Sequence, residues 1–171
     1  YLTASVDAPP TIDGNVDEGC WSKSERGDNF TELYSASKSV KEQTSFCILY
    51  DEENLYFAVE CQESDMGKLV KTRTEDDGDV FEDDSFEIFI TPGNSTATYY
   101  HFAVNALGTQ YDAEKFDRHW NCDWEAKSAC YKERWTAEVK IPFSSLEAAS
   151  HDGNIWRFNI ARTRHVGNGV E

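Results

Sequence analysis

VFEDDSFEIFITPGNSTATYYHFAVN, residues 80–105, decides the fold, because it joins two alternating runs through a Pro-Gly-Asn-Ser turn. Phe86, Ile88 and Ile90 fall on one side of a period-2 strand, with Ser85, Glu87 and Phe89 on the other. One face is therefore core and the other is available. In the second run Tyr100, Phe102 and Val104 alternate with Tyr99, His101, Ala103 and Asn105. Antiparallel pairing that keeps core against core sets Glu87 beside His101 or Ala103, with Asn105 close by on the same face. That face holds a carboxylate and an amide flanked by aromatics, a combination suited to a polyhydroxylated ligand.

Working outward, TSFCILYDEENLYFAVECQ (residues 44–62) reads as a hairpin: two apolar, β-branched and aromatic runs around the polar turn Asp51-Glu52-Glu53-Asn54. Both sides of these runs are apolar, which predicts central strands. Residues 63–80 read as a long surface loop, residues 124–130 as a strand. RWTAEVKIPF alternates Trp135, Ala137, Val139 and Ile141 against Thr136, Glu138 and Lys140, as a half-buried strand does, and Pro142 ends it. SSLEAA (residues 144–149) opens on a serine able to cap a short helix. The last run places Trp156, Phe158 and Ile160 opposite Arg157, Asn159 and Ala161. Seven or eight strands at hairpin spacing predict an all-β fold. The expectation is one domain over residues 1–171, an antiparallel, jelly-roll-like β-sandwich with one or two short helices.

A chain of 171 residues buries roughly 70% of its unfolded surface, so neither a disulfide nor a metal is required for stability. Thirty-two acidic against 16 basic residues, net −16, argue against nucleic acid or anionic lipid as a partner. No run approaches the roughly 18 apolar residues of a membrane span. Tyr1 opens the chain without an initiator Met or a signal peptide, which reads as the start of a mature segment. Cys20, Cys47, Cys61, Cys122 and Cys130 form no CxxC pair, so a zinc site is not expected. Cys47 and Cys61 lie in strands as small hydrophobes, while Cys122 and Cys130 either bridge a loop to a strand or stay free. Asn29 and Asn94 head N-x-T sequons, relevant in a eukaryotic secretory pathway.

Three segments coincide with a known pattern: P-x-I-D-G-x-x-D-E-x-x-W at residues 10–21, the EDDSFEIFITP strand, and the RWTAEVKIPFSSL corner. Together, over about residues 10–164, the chain resembles the family 9 carbohydrate-binding modules. The resemblance implies a β-sandwich that binds sugars without cleaving them, in some members by clamping a terminal saccharide between two aromatic rings. It places the first clamp aromatic on Phe81, the ligand carboxylate on Glu87 and the amide on Asn105. The family's sugar-binding arginine falls on Ala103, so one charged donor is missing. The second clamp aromatic belongs to a segment beyond the strand containing Arg162 and Arg164, and this sequence stops at Glu171. Either the family's final strand is cut away or the domain is built without it. Members often carry calcium, and Asp76, Asp77, Asp79, Glu82, Asp83 and Asp84 either supply oxygen ligands or form a solvated acidic loop.

Each candidate has a structural alternative. Phe81 is either a stacking platform or a loop residue folded over the sandwich edge. Trp120, among polar neighbours, is a substitute for the missing clamp partner, whereas Trp124, Trp135 and Trp156 read as core. Glu87 either meets ligand or pairs with a base such as Arg157 or Lys140. His101 reads as a solvated strand histidine, and Asn105 equally holds the turn that follows it. No nucleophile signature such as GxSxG is present, and acids are too abundant for a glycosidase pair to be informative. Haem ligation through Met66, the sole methionine, is a remote alternative. The resulting expectation is a non-catalytic carbohydrate-binding module on Phe81, Glu87, Asn105 and Trp120. It would be secreted, periplasmic or at the cell surface, and linked to a hydrolase or other domain. A spacer or interaction domain without sugar binding is the competing expectation.

Overall fold

Residues 44–62 form a hairpin because their apolar and β-branched runs favour extended backbone and Asp51 organises the turn. Its Oδ1 accepts from the backbone N–H groups of Glu53 at 2.8 Å and Asn54 at 2.7 Å, and its Oδ2 from the Tyr56 hydroxyl at 2.6 Å. The computed structural model describes residues 1–93, 98–146, 155–166 and 169–170. Its strands are β1 (Ala4–Ser5), β2 (Thr31–Glu32), β3 (Ser35–Ser39), β4 (Thr44–Tyr50), β5 (Asn54–Gln62), β6 (Ser85–Thr91), β7 (Tyr100–Asn105), β8 (Gln110–Glu114), β9 (Glu125–Cys130), β10 (Arg134–Pro142), β11 (Arg157–Thr163), β12 (His165–Val166) and β13 (Gly169–Val170).

These strands build the expected sandwich. One sheet runs β1-β4-β5-β10-β9, with β1 parallel to β4, and the other runs β11-β6-β7-β8, antiparallel throughout. β2 with β3 and β12 with β13 are separate two-stranded ribbons. The 44–62 hairpin is central, as its two apolar faces predict. Between the sheets lie Phe57 and Val59 of β5, Phe86 and Ile88 of β6, Phe102 of β7 and Trp135 and Val139 of β10, all essentially solvent-free. Full burial of each such side chain contributes about 1.5–3 kcal/mol, so this layer supplies most of the driving force. Trp124 joins it and Trp156 packs on its margin, as expected.

Two details differ from the sequence reading, and one alternative it left open is settled. The expected helix after Ser144 is a 3-10 turn, Phe143–Leu146; residues 147–154, its remainder and the HDGN return, lie outside the described residues, as does the Asn94 sequon. All five cysteines are free, so Cys122 and Cys130 form no bridge. β10 is buried on both faces, not half-buried. The reason is that residues 9–21 cross its outer side, where Val6, Trp21, Leu49, Tyr56 and Ala58 form a second apolar cluster. Gly14, in the I-D-G motif, has φ +90°, and a Cβ there would stand 2.8 Å from the Ser128 carbonyl carbon, so only glycine fits against β9. Glu138 of β10 then lies under this strap with no exposure. Its carboxylate accepts from the Asp13 and Gly14 backbone N–H groups, each at 3.0 Å, and from Trp21 Nε1 at 3.2 Å.

Candidate functional site

On the outer face of the β11-β6-β7-β8 sheet, residues 80–82 cover the β7–β8 side, and the β11–β6 side is less covered. Register explains what stands there: Glu87 of β6 is opposite Ala103 of β7 on one side and Ala161 of β11 on the other. Two small neighbours leave room around the carboxylate. His101 Nε2 lies 2.9 Å from Glu87 Oε2, and the Thr163 hydroxyl donates to Glu87 Oε1 at 3.3 Å. The donor in the His101–Glu87 contact is set by the imidazole tautomer. The side chains of His101 and Glu87 are 13% and 14% exposed, respectively. His101 is therefore enclosed, not solvated as its strand position suggested. Glu87 does not pair with Lys140, which meets Glu125 at 2.7 Å on the other sheet.

Aromatic rings surround this pair. Phe89 stacks on the imidazole with centroids 4.2 Å apart and planes at 13°, and Tyr111 meets it edge-on at 5.2 Å. Phe81 stands edge-on to Tyr111 at 5.6 Å, and the Arg118 guanidinium lies over both rings while pairing with Asp79 at 2.9 Å. The turn Val80–Glu82 delivers Phe81 to this face, and Val80 buries itself on Ala103, Tyr111 and Ala113. Ala103 is covered by that contact, which gives the position of the missing arginine an apolar packing role.

Of the four residues expected to act together, Phe81 and Glu87 meet on the outer face, Asn105 shares that face but is buried at its end, and Trp120 lies on the other side. Asn105 has no exposure. Its Nδ2 donates to Arg73 O and Asp83 Oδ2, each at 2.9 Å, and its Oδ1 accepts from Leu107 and Thr109 N–H at 3.0 Å each. Both N–H donors and the carbonyl oxygen are thus engaged in holding the following turn and the 63–80 loop, the alternative role foreseen for it. Trp120 packs on Tyr100 and Phe102, with centroids at 5.0 and 6.1 Å. Both belong to the core-facing set of β7, so Trp120 lies on the opposite side of the sheet from Glu87.

The acidic loop is likewise engaged. Asp83 accepts from the backbone N–H groups of Thr72 and Arg73 at 2.8 Å and from the Thr72 hydroxyl at 2.9 Å. Asp84 accepts from Val70 N–H at 2.7 Å and His165 N–H at 3.3 Å, Asp76 from Gln110 N–H at 2.9 Å, and Glu82 pairs with Arg73. Among the described residues no three His, Cys, Asp or Glu side chains group as a metal site. A calcium ion takes about six to eight oxygen ligands, and carboxylates turned toward N–H donors do not fit it. Met66 packs on the margin of the main core. A cavity of about 220 Å³ opens at the rim of the five-stranded sheet between Arg26, Asn29, Gln43 and Ser45. Gln43 there is bonded in both directions to the Phe30 backbone.

Phe89, Tyr111 and Thr163 were accessible from strand parity, since each alternates with a core residue. Arg118 carried no such signal, because it comes from an irregular loop.

The family model described as carbohydrate family 9 binding domain-like matches residues 12–169. Two similar solved structures are a family 9 carbohydrate-binding module from Caldicellulosiruptor kristjanssonii in complex with glucose and with cellotriose. Each shares 19% identity with this chain and covers 97% of it; 79% and 77% of those chains are covered, with TM-scores of 0.66 and 0.67. A third, a Bacteroides uniformis protein whose proposed role is carbohydrate binding, shares 17% identity, covers 95% of this chain and 83% of its own, and gives a TM-score of 0.72. No curated protein matches the chain.

Proposed function

The chain belongs to the carbohydrate family 9 binding domain-like family, and from that premise we propose that it binds neutral carbohydrate, without cleaving it, on the outer face of the four-stranded sheet. It acts as a module of a larger glycan-processing protein outside the cytoplasm. The observation that carries this reading is the Glu87–His101–Thr163 group set among Phe89, Tyr111 and Phe81. Ring C–H groups of a sugar pack on aromatic faces while its hydroxyls bond to a carboxylate, an imidazole and a hydroxyl. Glucose and cellotriose bound to similar folds support a neutral ligand, and a net charge of −16 disfavours acidic polymers.

Val80 packed on Ala103 favours a second reading, in which the face is a packing surface and the domain a spacer. Isothermal titration against mono-, oligo- and polysaccharides separates the two. A site with few anchors is expected to give Kd values of about 10 µM to 1 mM. Glu87→Ala is expected to weaken binding about tenfold or more without loss of fold, and the bound glycan is expected to release no new reducing ends. Silence across the panel, or full affinity in Glu87→Ala, removes the site.

A further inference from the structure

We infer that the glycan site continues beyond its first sugar ring to a second stacking platform at Phe116, so that the module takes a neutral oligosaccharide chain along the sheet face; this rests on the binding face proposed above. The rings form a continuous row. Phe89, stacked on His101, lies 6.2 Å from Tyr99, and Tyr99 lies 6.2 Å from Phe116. Phe116 is 90% exposed. Single exposed apolar side chains are ordinary on protein surfaces, but this one stands on a turn held from several directions.

Lys115, at φ 56°, turns the chain, and its N–H donates to Tyr99 O at 2.8 Å. Asp117 N–H donates to Glu114 O at 2.9 Å, the Thr98 hydroxyl donates to Glu114 Oε1 at 2.7 Å, and His119 N–H donates to Asp117 Oδ1 at 3.0 Å. Trp120, packed on Tyr100, anchors the far side of the same turn. A turn whose backbone is fixed before binding loses little backbone freedom when a sugar stacks on the ring it carries. Phe116 and Tyr99 meet at 88°, so this contact occupies at most one face of Phe116. Lys115 is balanced by Glu114 and Asp117 beside it, leaving no cationic cluster for an acidic polymer. The ligand class is therefore a neutral glycan longer than one sugar.

Calorimetry with two pairs of probes, glucose with cellotriose and xylose with xylotriose, tests the extension on the wild-type chain, Phe116→Ala and Glu87→Ala. The wild type is expected to bind a trisaccharide about tenfold more tightly than its monosaccharide, the yield of one added stacking contact. Phe116→Ala is expected to bring that ratio close to one, with monosaccharide affinity and Tm unchanged. Glu87→Ala is expected to weaken both members of a pair. A ratio near one in the wild type, or an undiminished ratio in Phe116→Ala, overturns the extension. If Glu87→Ala still weakens the monosaccharide in that series, the binding face stands without it. Full affinity in Glu87→Ala, or heat from neither pair, overturns both.

Discussion

The two outer faces of the sandwich each carry a glutamate on an inner strand, and the two glutamates have opposite surroundings. Glu138 of β10 is sealed beneath residues 9–21 and accepts from two backbone N–H groups and an indole. Glu87 of β6 is partly exposed and bonds to an imidazole and a hydroxyl. Backbone donors cannot turn away, so a carboxylate that takes them is part of the scaffold. Side-chain donors can be shared with an incoming hydroxyl, so on the proposed reading the second carboxylate is the one that exchanges partners. Type of partner, more than residue type or parity, separates the sealed glutamate from the partly exposed one.

Removing Glu138 attacks the covered face directly. Glu138→Ala takes the acceptor from the Asp13 and Gly14 N–H groups and leaves Trp21 Nε1 with Glu18 alone, and a loss of about 4 kcal/mol is expected. This appears as a fall in Tm of roughly 8–16 °C for a domain of this size. A change of only a degree or two would break the comparison. Asn105→Ala comes next: it strips the acceptor from Leu107 and Thr109 and the donor from Asp83 and Arg73. About 2–3 kcal/mol of stability should disappear in chemical denaturation, with sugar affinity retained. Lost affinity at unchanged stability would return Asn105 to the ligand. Glu87→Ala is expected to reverse this pattern, with Tm held within about 3 °C while affinity falls.

The smallest effect is the dependence of stability on pH. Burial pushes the Glu138 carboxyl up to about 7 from an ordinary value of 4.5, against the pull of the Asp13 and Gly14 N–H groups and with the Glu18 carboxylate adding to the rise. A raised carboxyl holds its proton more tightly in the folded state. Its contribution is therefore complete below about pH 4.5 and lost as pH climbs through about 7. Asp112, pushed up to about 6 by burial, acts with the same sign over a lower range. Tm should thus fall across this window, and less steeply in Glu138→Gln. Equal slopes in the two proteins would show that Glu138 titrates as a solvated group.

Much of the sandwich was legible in period-2 alternation. Phe86, Ile88 and Ile90 on one side and Glu87 and Phe89 on the other are a local pattern that pairing with β7 could only preserve. The N-terminal motif was legible as a signature but not as a lid, because nothing in residues 10–21 names the strand they cover. The candidate site was legible in part. Glu87 and Phe81 reach one face, but Asn105 shares the parity of Glu87 and is nevertheless buried, since the 63–80 loop folds over the end of β7. Trp120 was misplaced for a related reason: its polar neighbours in sequence say nothing about Tyr100 and Phe102, which it meets through the fold.

Alternation of apolar and polar residues, turn chemistry and length determined by themselves that the chain forms a β-sandwich with Glu87 pointing away from its core, because side-chain direction along a strand is a local property. Tertiary structure alone decided which outward glutamate is sealed and which keeps a partly exposed edge. Sealing depends on contacts such as that between Asp13 and Glu138, 125 residues apart, whose formation no short window of sequence encodes.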